Sequence, residues 1–171
     1  MTAIATFNFD GAVLRTATGA DGEPWFVAAD LLAALDLDRK AMERVLEIDP
    51  NYFPAVEILA QLDNAEKRPD EARARIEAAI KQRPNNVQAH LALVNLRAAN
   101  GADKTELMGL LRKAVEAVPD SPTPRLLLAE FHLRNNAPKE ALAVAQQAVT
   151  AVPDNVELLD VLGRAQSASG E

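Results

Sequence analysis

RVLEIDPN (44–51), AAIKQRPN (78–85), KAVEAVPD (113–120) and QAVTAVPD (147–154) share one pattern: an apolar helical stretch, a proline and a polar residue. Their prolines, Pro50, Pro84, Pro119 and Pro153, recur at spacings of 34, 35 and 34. Proline has no backbone N–H and cannot continue a helix, so each closes a helical segment, and the polar residue behind it is placed to cap the next. A fixed period of this length means stacked units, each burying an apolar face against its neighbour.

Within a unit the apolar positions keep helical spacing, as in Val56, Leu59 and Leu62, then Ala72, Ile76 and Ala79. Two amphipathic helices per unit follow, folded into an αα-hairpin. Ala60, Ala72, Ala79, Ala129, Ala141, Ala148 and Gly163 are small where helices must come close. The hairpin turns are marked by KRPDE (67–71), NGADKTE (100–106) and NNAPKE (135–140), and Asp103 with Glu106 reads as a capping box. The pattern gives a half repeat at 39–50, full repeats at 53–84, 87–119 and 122–153, and a final helix at 156–168. The extra residue of the middle unit belongs in its inter-helix turn, where a solenoid tolerates insertion.

These residues resemble the tetratricopeptide (TPR) family over 39–171, which implies a mainly α fold: a TPR α-solenoid of helix-turn-helix repeats. The resemblance implies a non-catalytic scaffold that binds a peptide or partner protein in a concave groove lined by the first helix of each repeat. Mapped residue by residue, the groove is expected at Glu57, Gln61, Asn64, Gln88, Leu91, Asn95, Thr123, Leu126, Glu130 and Arg134, with the amides meeting a peptide backbone and Leu91 and Leu126 as apolar anchors. Glu57 stands where a carboxylate-clamping chaperone co-factor would carry a lysine, which argues against that role. PRLLLAEFHLRNNAPKEALAVAQQAV (124–149) and NVELLDVLGRAQ (155–166) look like the repeat proteins of bacterial PEP-CTERM/exosortase systems. That implies a role in exopolysaccharide export or protein sorting.

Before the repeats the pattern changes. ATFNFDGAVLRTATGADGEPWFVAADLLAALDL (5–37) alternates apolar residues about Asp10-Gly11, turns again at Asp21-Gly22, and runs through a short WFV strand into an Ala/Leu-rich helix. A β-hairpin, a third strand and a helix at 28–37 are expected, an α+β cap in which Leu31, Leu32 and Leu35 cover Val45 and Leu46. FNFDGAVLR (7–15), GEPWFVAADL (22–31) and Leu35-Asp36-Leu37 resemble the start of the BRO-N domain of phage antirepressors, so residues 1–38 form a truncated BRO-N-like segment. That resemblance implies an alternative function, a phage-related DNA-binding regulator whose repeats serve assembly. A natural or artificial fusion with no evolved joint function is a third reading.

Charge weighs on the choice. The chain of 171 residues carries a net −7, with six acids and three bases in 1–40 and nineteen and fifteen in 41–171, so neither part has the basic face that tracks phosphates. No cysteine is present to build disulfides or a thiolate zinc site, and no HExxH, GxSxG, phosphate-loop or EF-hand pattern occurs. Neither an enzyme nor a cofactor or metal is expected. The histidines, His90 and His132, fall at core positions of first helices, and Asp70, Glu71, Glu106 and Glu140 sit at the starts of second helices, where they suit the helix dipole. No basic n-region precedes an apolar core and no apolar run is long enough to span a bilayer, so the chain as given is expected in the cytoplasm, with a periplasmic setting open for full-length relatives. Leu158, Leu159 and Leu162 are expected to be exposed edges of the last helix and to support homodimerisation.

Overall fold

The computed structural model describes residues 39–170 and the backbone of three N-terminal strands. The strands are β1 (Ile4–Phe9), β2 (Ala12–Thr18) and β3 (Pro24–Phe26), an antiparallel sheet in the order β1-β2-β3. Phe9 faces Ala12 across the first hairpin and Thr18 faces Pro24 across the second pairing. The expected helix at 28–37, and with it the capping role, lies outside the described residues. Leu46, which that helix was expected to cover, packs against the cluster built on Phe53 and Val56.

The helices are α1 (39–48), α2 (Phe53–Ala65), α3 (Pro69–Gln82), α4 (Val87–Ala99), α5 (Lys104–Ala117), α6 (Pro122–Arg134), α7 (Pro138–Ala151) and α8 (Val156–Ser169). Each helix packs on the next from α2 onward, and α2 also touches α4 as α6 touches α8. Alanine makes this possible. Ala55, Ala72, Ala89, Ala114, Ala129, Ala141, Ala145, Ala148 and Ala165 are wholly buried, so methyl groups rather than long side chains separate the backbones. One apolar cluster joins Phe53, Val56, Ala60, Ile76 and Leu93 across α2–α4. Another joins Ala129, Ala145, Leu158 and Val161 across α6–α8. Leu111 and Ala114 of α5, and Val118 that follows it, are buried as well. Leu158 is therefore core, and Leu162 is packed on the same cluster; of the three leucines expected as exposed edges, only Leu159 is exposed, at 48%. The strictly helical reading of that face missed which side α7 covers.

The turns repeat as closely as the helices do. Inside each hairpin a residue with positive φ, Lys67 (61°), Gly101 (78°) or Asn136 (57°), ends the first helix. The next N–H reaches back five residues, from Arg68 to the Asp63 carbonyl (2.8 Å), Ala102 to Arg97 (2.9 Å) and Ala137 to His132 (3.0 Å). These are Schellman motifs, which satisfy the orphan carbonyls of a helix C-terminus. The residue after the motif that lengthens the middle turn sits between Gly101 and Lys104.

Between hairpins the N-cap is Tyr52, Asn86, Ser121 or Asn155, one residue beyond the polar residue expected to cap. Asn86 and Asn155 accept from the N–H groups of Ala89 (3.3 Å) and Leu158 (2.9 Å). Only half of the capping box forms: Asp103 accepts from the Glu106 N–H at 2.8 Å, while the Glu106 carboxylate takes two bonds from Arg97, at 2.5 and 3.0 Å. The first-helix side chain four residues in closes the preceding turn. His90 Nε2 donates to the Pro84 carbonyl at 2.7 Å, and Arg125 Nη2 to the Pro119 carbonyl at 2.9 Å. A carbonyl only accepts, so the proton of His90 is on Nε2.

Left-handed backbone costs an L-residue about 1–2 kcal/mol and glycine almost nothing. Gly101→Ala should therefore lower stability by roughly 1 kcal/mol, and Lys67→Gly should raise it by a smaller amount because glycine also loosens the unfolded chain. Denaturant melts of both variants check the opposite signs.

Candidate interaction groove

On the first-helix side, α2 and α4 enclose a cleft of about 210 Å³. Its floor is Ala60, Ile76, Ala92, Leu96 and Ala99, and its polar lining is Glu57, Gln61, Asn64 and Asn95. Four of the ten sequence-selected residues are thus brought together. They converge because 57, 61 and 64 recur on one face of α2 and α4 lies alongside it. Asn64 is held in place: its Oδ1 accepts from Asn100 Nδ2 at 2.8 Å, and the same amide donates to the Leu96 carbonyl at 2.8 Å. The amide hydrogens of Asn64 remain its donors.

The other expected residues lie elsewhere. Gln88 lines a separate depression with Asn51, Tyr52 and Asn86 at the α1–α2 and α3–α4 junctions. Leu91 and Thr123 are half-buried, and Leu126 is packed partly against the α6–α8 cluster, so it is in part a core residue. Glu130 accepts from Arg164 Nη1 at 3.5 Å, which also reaches Asp160 at 3.4 Å, and Arg134 is exposed. The apolar floor was not selected from sequence, although the small residue at 60 was a visible sign of close approach.

Beneath the α2 end of this cleft is a polar centre that sequence reasoning passed over. Asp63, wholly buried, accepts from three arginines: Arg39 of α1 (2.8 Å) and Arg68 of the α2–α3 turn (3.1 Å) on Oδ1, and Arg75 of α3 (3.0 Å) on Oδ2. Arg39 and Arg68 also bind Glu66, and Arg68 binds Glu71 at 2.7 Å. Burial opposes the charge of Asp63, but the hydrogen bonds from Arg39 and Arg75 and their positive charges outweigh it, and the carboxyl is held below the ordinary carboxylate range. His132 stands at the corresponding position of α6 and is also buried. Its burial, with Arg112 near it and Glu140 opposing, lowers its pKa from the usual histidine value.

Repeating hairpins joined by the same turns, with first helices ranged along one side, are the geometry to compare with known proteins. Two models of the tetratricopeptide repeat match the chain, over residues 59–122 and 108–171. The helical array is a tetratricopeptide-repeat array.

Solved structures share the fold. A crystal structure of MamA is 15% identical, with a TM-score of 0.54, covering 85% of this chain and 86% of that one. A second MamA crystal structure is also 15% identical, with a TM-score of 0.54 and coverage of 82% and 76%. TTC0263, a thermophilic TPR protein of Thermus thermophilus, is 21% identical, with a TM-score of 0.54 and coverage of 82% and 75%. No curated protein matches this chain in sequence.

For this TPR array the Asp63 centre and His132 give separable predictions. Removing one partner of a buried ion pair costs about 3–5 kcal/mol, and the partly exposed arginines put Asp63→Ala near the lower end of that range, about 3 kcal/mol by chemical denaturation. The lowered pKa of His132 means that the unfolded chain binds the proton more readily. Stability is therefore complete above about pH 6.5 and falls as pH drops toward the lower folded value. His132→Leu should flatten the stability profile between pH 7 and 5, whereas the Asp63 contribution is lost only in stronger acid. Denaturant melts as a function of pH distinguish the two.

Proposed function

We propose that this chain is a non-catalytic protein-interaction scaffold whose α2–α4 cleft receives an extended peptide segment of a partner protein. The carrying observation is the pairing of an apolar floor with amides on one cleft: Ala60, Ile76, Ala92 and Leu96 below, Gln61, Asn64 and Asn95 above. An amide donates and accepts at once, as a peptide backbone does, while the floor suits an aliphatic side chain. At about 210 Å³ the cleft is smaller than the about 300–1,000 Å³ of sites that enclose small molecules, which favours a peptide lying across it. The resemblance of 124–149 and 155–166 to exosortase-system repeat proteins supports a partner from bacterial envelope or exopolysaccharide assembly.

The test is selection of dodecapeptides from a random display library with the intact chain, followed by titration of the selected peptides against the double variant Gln61→Ala/Asn95→Ala. Each lost hydrogen bond is worth about 0.5–1.5 kcal/mol, so the double variant should bind at least about fivefold more weakly. Peptides that bind both proteins equally place recognition elsewhere and overturn the proposal.

A further inference from the structure

The acids of the α2–α3 hairpin are paired with arginines, with one exception. Asp63 and Glu66 take bonds from Arg39 and Arg68, Glu71 lies 2.7 Å from Arg68, and Asp70 and Glu77 lie 3.6 and 3.8 Å from Arg73. Glu57 is the remaining acid of this hairpin. Among the described residues no Lys, Arg or His pairs with its carboxylate, and no hydrogen bond reaches it. The hairpin has arginines enough to neutralise three acids around one buried centre, yet none turns to Glu57.

That exception lies in the α2–α4 cleft. Glu57 is half-buried, and among the described residues it is the one charged side chain of the lining. An occupant that covered this carboxylate without bringing a cation would strip away its water and return nothing, and an acidic occupant would be repelled as well. A Lys or Arg replaces the lost water with a charge-assisted hydrogen bond. The net −7 of the whole chain acts in the same direction, since it favours the approach of a cationic partner.

The other end of the cleft is set with opposite polarity. The Leu96 carbonyl only accepts, so the Asn100 atom beside it is Nδ2, and the Asn64 atom that this Nδ2 meets is the oxygen. Asn64 is left to offer its N–H groups, which suit a peptide carbonyl. Glu57 and Asn64 are seven residues apart on one face of α2, two turns or about 10 Å along the axis, with Ala60 of the apolar floor between them. An extended segment rises about 3.3 Å per residue, so about three residues span the two groups.

We infer that the occupant of the cleft is a basic peptide segment: an aliphatic side chain on the floor, a Lys or Arg paired with Glu57, and a backbone carbonyl about three residues away held by Asn64. The inference rests on the reading of this cleft as a peptide site and adds the charge of its partner.

The test uses the intact chain and dodecapeptides selected with it from a random display library. Lys or Arg should be enriched within about three residues of an aliphatic position. Glu57→Gln keeps the shape of the side chain and should bind the selected peptides about fivefold more weakly, the upper end for a partly exposed ion pair. Glu57→Lys should lose them at least about tenfold, and should bind better than wild type does to copies in which the Lys or Arg is replaced by Glu. Unchanged circular dichroism spectra and melting temperatures confirm that both variants fold. Selected peptides without basic enrichment overturn the inference. So does a Glu57→Gln variant that binds as wild type does while Gln61→Ala/Asn95→Ala binds more weakly, and in that case the cleft remains the peptide site. A library that yields no binder, or peptides that bind all of these variants equally, overturns the peptide site and the inference with it.

Discussion

Everything in this chain depends on how closely its helices approach, and alanine sets that distance. Interaxial distances shrink toward the lower end of about 8–10 Å when the residues at the crossing are small. With nine alanines at zero exposure, the backbones themselves supply much of the packing surface. Aromatic residues make up only 4% of the chain, so there is little bulk to wedge the layers apart. Larger aliphatic side chains, among them Leu59, Ile76, Leu93, Leu111 and Leu158, fill the seams rather than set the spacing. The α2–α4 cleft follows from this constraint, because Ala60, Ala92 and Ala99 leave room that larger side chains would occupy.

Asp63 solves a different problem. A carboxylate taken out of water loses several kcal/mol of solvation, and only partners with good geometry make up for it. Three arginines from α1, the α2–α3 turn and α3 do so, each reaching inward from a partly exposed position, with side-chain exposures of 15%, 37% and 30%. Arginine suits the task because its stem can cover apolar surface while its planar head donates several bonds. Buried ion pairs often add no more stability than apolar side chains of the same volume would. What it adds here is placement: Arg39, 24 residues before Asp63 in sequence, is tied to α2, and α1 is thereby fixed in the position of a second helix.

The proline period exposed most of the helical array to sequence reading, because a proline stop and helical apolar spacing are local signals. The longer middle turn was legible for the same reason, in Asn100-Gly101. Two features were not. Left-handed backbone announces itself through glycine at Gly101, but Lys67 and Asn136 adopt it without that signal, since the Schellman hydrogen bonds compensate the strain. Asp63 reads as one more surface acid in a chain with 25 of them, and its burial depends on arginines at three different distances in sequence. Its position is the one that holds the buried His132 in α6, and a charge in that slot was the one available clue. Of the groove, the polar rim was legible at Glu57, Gln61, Asn64 and Asn95, because these residues share a helix face or a repeat position. Its floor was not, since Ile76 and Leu96 belong to the packing pattern as much as to the cleft.

The cleft is a product of the row of first helices. The cleft needs two first helices side by side, as α2 and α4 are, and α6 and α8 stand in the same relation. Ala60 of α2 and Ala92 of α4 border the same space, so the spacing that alanine sets between helices also sets the width of the cleft.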